Sequence, residues 1–227
     1  MKKALLAGLC FVLVSFALVN GTFALPDLRV LENAFADLTN ILGEALGLPQ
    51  LGGTVVDVEL VSDNATKNLY PGASASRASY VSNNGTGDVY FRLVYAVQYD
   101  AESWPKLDID FTVDENFFAE ERSSTNSLNA NGYDAEGWKN ITIGETPYKM
   151  KVFTYKHALP AGGSSPDVTI SIAMDTDITS EQMARYGSDF VKTQVLAIET
   201  TAFAAKDITD ATAALDRALP LNKLNPF

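Results

Sequence analysis

Four kinds of residue in this chain could do chemistry: the single histidine His157, the adjacent Ser164 and Ser165, the aspartates Asp108, Asp110 and Asp114, and the tryptophans Trp104 and Trp138. Zinc catalysis needs about three nitrogen, sulfur or carboxylate ligands with one open position, and a helical HExxH motif supplies two of them on one face. The sequence has no HExxH, and His157 ends the stretch KVFTYKH just before Ala158-Leu159-Pro160, where a strand meets a turn. Ser164 and Ser165 lie in AGGSSPD, without the GxSxG elbow of a nucleophilic serine and with only His157 to serve as a base. They read as a flexible turn.

LDIDFTVDENFFAEE places Asp108, Asp110 and Asp114 on one side of a strand, opposite Ile109, Phe111 and Val113. The spacing approaches the start of a calcium loop, in which Asp114 or Glu120 would contribute. Thr112 and Val113, however, stand where an acidic or amide ligand and a glycine belong. The reading is a solvated strand face whose charges discourage edge pairing. Trp104 and Trp138 fall in loop-like sequence, where flat rings could stack on a sugar, whereas Tyr90, Tyr95 and Tyr99 follow strand periodicity and read as packing. These residues point to no catalytic group, no metal site and no cofactor, and leave glycan recognition as an alternative.

The elements that would position these groups are mostly strands. From Thr54 onward apolar residues recur at a period of two, in TVVDVELV (54–61), SYVS, DVYFRLVYAVQY, LDIDFTV (107–113), KNITIG (139–144), YKMKVFTYK (148–156), DVTISIAM (167–174) and FVKTQVLAIET (190–200). Asn83-Asn84-Gly85 offers residues that tolerate positive φ, which predicts a hairpin from SYVS into DVYFRLVYAVQY. In that last strand Val89, Phe91, Leu93, Tyr95 and Val97 face one way and Tyr90, Arg92, Val94 and Gln98 the other. Thr179 with Gln182 forms a capping box for one short helix, and Asp207 or Thr209 is placed to cap a second, TDATAALDRAL. Many strands, few helices and Gly/Pro/Asn turns predict an all-β, jelly-roll-like antiparallel sandwich over residues 54–227, with a C-terminal helix and tail.

The N-terminus reads differently. Lys2 and Lys3 precede an apolar run from Ala4 to Val19, and Thr22-Phe23-Ala24 then offers a small exit residue, the layout of a secretory signal over 1–24 cut before Leu25. The sole cysteine, Cys10, falls inside it. Leu28, Leu31, Phe35, Leu38, Leu42 and Leu46 then recur at helical spacing, which predicts an amphipathic segment ended by Gly47 and Pro49. Residues 48–53, LPQLGG, read as a hinge, so that 25–53 forms an assembly segment ahead of the sandwich. Loss of Lys2 and Lys3 takes the formal charge from −11 to −13, which disfavours nucleic acid and anionic lipid as partners. No stable membrane span is expected after cleavage, and LPLNKLNPF at the end of the sequence lacks an apolar anchor.

The signal exit Thr22-Phe23-Ala24, the turn Asn68-Leu69-Tyr70-Pro71-Gly72, the stretch YVSNNGTGDVYFRLVYAV with Asn84, Gly85, Tyr90 and Arg92, and KHALPAGGSSPDVTISIAM with QVLAIETTAF resemble the TasA and camelysin family of exported matrix proteins. The match spans most of residues 54–203. The resemblance implies processing by a SipW-type signal peptidase, a jelly-roll-like sandwich, and a secreted subunit of extracellular or cell-surface biofilm fibres. Its implied partners are further copies of the chain and other matrix proteins or polysaccharide. Camelysin is regarded as a metallopeptidase, which supplies the enzymatic alternative. The segment 25–53 departs from the family pattern, in which a short polar stretch follows the signal.

Overall fold

The computed structural model describes residues 55–62, 70–186, 190–201 and 209–227. The chain divides at Gly53–Thr54, and every described residue belongs to the unit from Thr54 to Phe227. The expected signal with Thr22, Ala24 and Leu25, the stretch carrying Leu28, Leu31, Phe35, Leu38, Leu42 and Leu46, the hinge, and Asn68 and Leu69 lie outside the described residues.

Among the described residues there are nine strands, most of them built on alternating apolar residues: β1 (Val58–Ser62), β2 (Ser74–Asn83), β3 (Val89–Gln98), β4 (Leu107–Thr112), β5 (Phe118–Glu120), β6 (Lys139–Ile143), β7 (Thr146–Tyr155), β8 (Val168–Met174) and β9 (Val191–Glu199). One sheet, A, has the order β1-β2-β8-β4. The other, B, has the order β5-β7-β3-β9, with β6 also paired to β7. Every pairing is antiparallel, and β6 and β5 share one edge of β7, β6 along Thr146–Met150 and β5 along Phe153–Tyr155. Val81, Phe91, Leu93, Tyr95, Phe153 and Ile172 belong to the apolar layer between the sheets. The fold is an all-β, jelly-roll-like antiparallel sandwich with few helices.

The expected hairpin between β2 and β3 is not formed. β2 pairs with β1 and β8, and β3 pairs with β7 and β9, so the connection crosses from one sheet to the other. The turn residues bond elsewhere: Asn84 N–H donates to Asp57 O at 2.7 Å and Thr86 N–H to Val55 O at 3.1 Å. The buried Asn83 amide staples the corner by donating to Gly87 O at 2.9 Å and Leu159 O at 3.0 Å. Gly85 is needed for closeness, since a Cβ there would lie 2.2 Å from Val55 O. The Pro71-Gly72 turn forms as expected: Ala73 N–H donates to Tyr70 O at 2.9 Å and Gly72 sits at φ 79°, as the third position of a type II turn requires.

Among the described residues are two α-helices of more than one turn, α1 (Ser180–Arg185) with its Thr179–Gln182 capping box and α2 (Ala211–Ala218). The cap of α2 is Asp210, whose carboxylate accepts from Ala213 N–H at 2.8 Å, in place of Asp207 or Thr209. A three-residue side chain to backbone reach selects this position. Residues 209–227 cross the outer face of sheet B, so β3 is buried on both faces along its length up to Val97.

Candidate functional site at the paired tryptophans

Two loops place Trp104 and Trp138, and they do so with the same six-residue pattern, Tyr-Asp-Ala-Glu-x-Trp: Tyr99 to Trp104 and Tyr133 to Trp138. In both, an aspartate orders the turn. Asp100 Oδ1 accepts from Ser103 Oγ at 2.8 Å, Ser103 N–H at 3.0 Å and Glu102 N–H at 3.2 Å. Asp134 Oδ1 accepts from Trp138 N–H at 2.8 Å and Glu136 N–H at 3.0 Å. The Ser103 hydroxyl holds the Asp100 carboxyl below its ordinary range, and Arg185 adds to the effect. Gly137, at φ 81°, lets the second loop close on Glu120, whose Oε1 would lie 2.2 Å from a Cβ there.

The two turns bring the indoles together at 5.3 Å, edge to face at 87°. Phe111 of β4 lies 6.0 Å from Trp138, and Tyr99 lies 5.5 Å from Trp104. Two lysines of β7 project from the core side of that strand onto these rings. Lys149 Nζ sits 4.8 Å from the Trp104 centroid and 5.2 Å from Tyr99. Lys151 Nζ sits 5.0 Å from Trp138 and 5.3 Å from Phe111, and pairs with Glu120 Oε1 at 2.6 Å. A buried ammonium is tolerable because the ring quadrupoles and the carboxylate replace its water. The arrangement therefore clamps β4, β7 and the loop ahead of β6 at one side of the sandwich.

Trp138 is only 6% exposed, so it is a core residue, which corrects the expectation of a loop ring open to sugar. The Asp134 turn throws it inward. Trp104 remains half-buried beside Lys149 and is the ring with a surface to offer. The other sequence candidates are scattered. His157 is exposed and packs edge-on against Phe117 and Tyr155 at a strand end, with Nε2 3.3 Å from Asn116 O. Ser165 is buried and its Oγ accepts from Val81 N–H at 3.0 Å, a structural corner, while Ser164 is exposed. Asp108 and Asp110 are exposed on the outer face of β4, and Asp114 accepts from Asn116 N–H at 2.9 Å in the turn that follows. Among the described residues no three His, Cys, Asp or Glu side chains converge.

Arg92 is fully buried, and Tyr90 on the same strand is 6% exposed. Arg92 Nε donates to Thr154 Oγ1 at 3.1 Å, Nη1 to Leu219 O at 2.5 Å, and Nη2 pairs with Asp216. This polar center under the C-terminal residues was not legible from the local strand pattern. The repeated Tyr-Asp-Ala-Glu-x-Trp hexapeptide was the signal that could have found the tryptophan pair.

Among the described residues no helix is long and apolar enough to cross a membrane. No family model and no curated protein matches the chain. Among solved structures it is similar to a family 3b carbohydrate-binding module from the biomass-sensing system of Clostridium clariflavum, with 19% identity, a TM-score of 0.31, and coverage of 52% of this chain and 70% of that one. It is also similar to the carbohydrate-binding module of the cellulosomal cellobiohydrolase 9A from Clostridium thermocellum, with 13% identity, a TM-score of 0.29, and coverage of 63% and 90%. A third similar structure is AvmM, which catalyses macrocyclization in alchivemycin A biosynthesis, with 14% identity, a TM-score of 0.34, and coverage of 56% and 75%.

Proposed function

We propose that this chain is a secreted structural subunit of extracellular matrix fibres, acting by assembly with further copies of itself and not by catalysis. The observation that carries this reading is the asymmetry of the sheet edges. On the side of the paired tryptophans the edges are blunted: β5 and β6 are three and five residues long, and β4 carries exposed Asp108 and Asp110. Short strands and edge charges are how sandwiches avoid pairing with strangers. On the other side β9 runs nine residues, VKTQVLAIE, with no proline and with charge only at Lys192 and Glu199. Among the described residues no strand pairs with its outer edge, and β1 approaches it across the sandwich.

A long edge of β-branched and apolar residues is a template for a strand or segment from another copy. The resemblance to exported matrix proteins supports the same reading, as does the acidic charge, which keeps an associating subunit soluble during export. The expected signal over 1–24 supplies secretion through a signal peptidase, and the amphipathic stretch 27–46 supplies an apolar stripe that a neighbouring copy could cover.

The test is an edge lysine. Gln194→Lys, in the middle of β9, places a charge where a neighbouring strand would add. The protein beginning at Leu25 should sediment as polymer, and the variant should remain a folded monomer under the same conditions. Equal polymerisation of the two would remove β9 from the account. The half-buried Trp104 beside Lys149 favours a second reading, a glycan-binding surface, in which retention on polysaccharide would be lost with Trp104→Ala. Chelator-sensitive cleavage of casein by pure protein would instead mark a camelysin-like peptidase.

A further inference from the structure

Residues 209–227 lie over sheet B as a strap that adds no strand to either sheet. Its apolar anchors are Leu215, seated with Tyr90, and Leu221 and Leu224, seated with Val94, Met150 and Val152. The polar contacts follow a rule. Tyr90 Oη donates to Thr209 O at 3.0 Å, Arg92 Nη1 to Leu219 O at 2.5 Å, and Lys139 Nζ to Leu221 O at 2.8 Å and Asn222 O at 3.2 Å. All four of these bonds run from side chains of the sandwich to main-chain carbonyls of the strap, and Arg92 Nη2 adds an ion pair to the strap's Asp216. Asn225 returns one bond, from Nδ2 to Thr142 O at 3.2 Å.

Side-chain donors aimed at backbone carbonyls, with pockets for spaced apolar side chains, are the means by which a folded domain holds a separate peptide. The strap has the character of such a peptide. Its helix α2 is eight residues long, too short to persist alone, so it is ordered by the face it covers. The closure leaves an open groove of about 260 Å³ between Leu196 of β9 and Leu219, Pro220, Leu224 and Pro226 of the strap.

We infer that the outer face of sheet B is a peptide groove and that the strap of a second copy occupies it in exchange for the chain's own. The second copy is the occupant because the groove already fits this segment, residue by residue. Residues 200–208 join β9 to the strap, and nine residues extend to about 30 Å. That length is the limit within which a second copy has to lie for the exchange. The strap is the next described stretch after β9, the edge on which the proposed fibre reading rests. A tethered segment has an effective concentration on the order of millimolar, so the strap closes on its own chain in dilute solution. Exchange competes when copies are packed at a similar local concentration.

The absence of cysteine after residue 10 makes disulfide trapping direct. Thr142→Cys and Asn225→Cys are made in separate copies of the full processed chain, at exposed positions in hydrogen-bond contact across the groove. The copies are mixed at high concentration and oxidised mildly, and non-reducing gels and mass spectrometry count the heterodimer. The expected yield is at least tenfold above that of Asn225→Cys mixed with a Ser76→Cys control on the far sheet, and excess synthetic peptide of residues 209–227 suppresses it. A yield equal to the control, or one the peptide leaves unchanged, overturns the exchange. Both substitutions in one chain should close within that chain; failure to close overturns the groove itself. Polymer that forms with heterodimer only at the control level would sink strap exchange and leave the fibre reading intact. Heterodimer in mixtures that never polymerise would do the reverse.

Discussion

Arg92 and Asp216 form a pair whose double-mutant cycle can be forecast from their surroundings. The Arg92 side chain is fully buried, while that of Asp216 is 50% exposed. Asp216→Ala strands a buried guanidinium with Leu219 O and Thr154 Oγ1 as its remaining partners. Breaking a fully buried pair costs about 3–5 kcal/mol. Because half of Asp216 already faces water, the loss here is about 2 kcal/mol. Arg92→Met keeps a buried apolar stem but loses charge-assisted bonds, for a net cost of about 2 kcal/mol. In the double variant no charge is stranded, so its cost should match that of Arg92→Met alone and the coupling should be about 2 kcal/mol. Urea unfolding followed by fluorescence of Trp104 and Trp138 measures all four proteins, with an unchanged slope as the check on two-state behaviour. Costs that add to within about 0.5 kcal/mol would refute the argument that Asp216 compensates a buried charge.

Three further outcomes are expected. Burial pushes the Tyr95 phenol up to about 12, so the folded state holds its proton after the unfolded chain has lost it. The Tyr95 contribution to stability is then complete below pH 10 and falls by about 3 kcal/mol as pH rises from 10 to about 12; burial also raises the phenols of Tyr133, Tyr155 and Tyr186, so Tyr95→Phe should lessen the alkaline slope in urea midpoints without abolishing it, and an unchanged slope would contradict the assignment. Gly85→Ala drives a Cβ to within 2.2 Å of Val55 O and should lower stability by about 1–3 kcal/mol, whereas Gly144→Ala, with open space around it and φ 62°, should cost about 1–2 kcal/mol through backbone strain alone. A milder effect at Gly85 than at Gly144 in thermal melts would show that the corner can open. Trp138→Ala should cost about 3–5 kcal/mol and Trp104→Ala distinctly less, because only Trp138 is fully enclosed; the opposite order in denaturant unfolding would invert the description of the pair.

The strands β4, β6, β7, β8 and β9 were legible because each carries a period-two pattern long enough to register. β5 was not, because three residues cannot display a period. The connection from β2 to β3 misled for a physical reason: Asn83-Asn84-Gly85 signals a reversal, but a local turn does not say which sheet the chain re-enters. Asn83 answers that through bonds to Gly87 O and Leu159 O, and the latter partner is 76 residues away. The strand pattern placed Arg92 on the face opposite Phe91 and Leu93 but could not show that this face is buried, because its cover comes from residues 209–227. Trp138 read as a loop ring, because its loop flanks conceal the inward throw of the Asp134 turn. The duplicated hexapeptide was present in the sequence throughout, and pairing the two copies required only comparing residues 99–104 with 133–138.

The central claim is that this sandwich is a fibre subunit, and electron microscopy of the purified protein beginning at Leu25 tests it most directly. The account predicts filaments of uniform width with a regular axial repeat, absent from a folded, β-rich chain that begins at Gly52 and lacks the amphipathic stretch. Dispersed single particles from the Leu25 form, at every concentration and pH at which the protein stays folded, would contradict it.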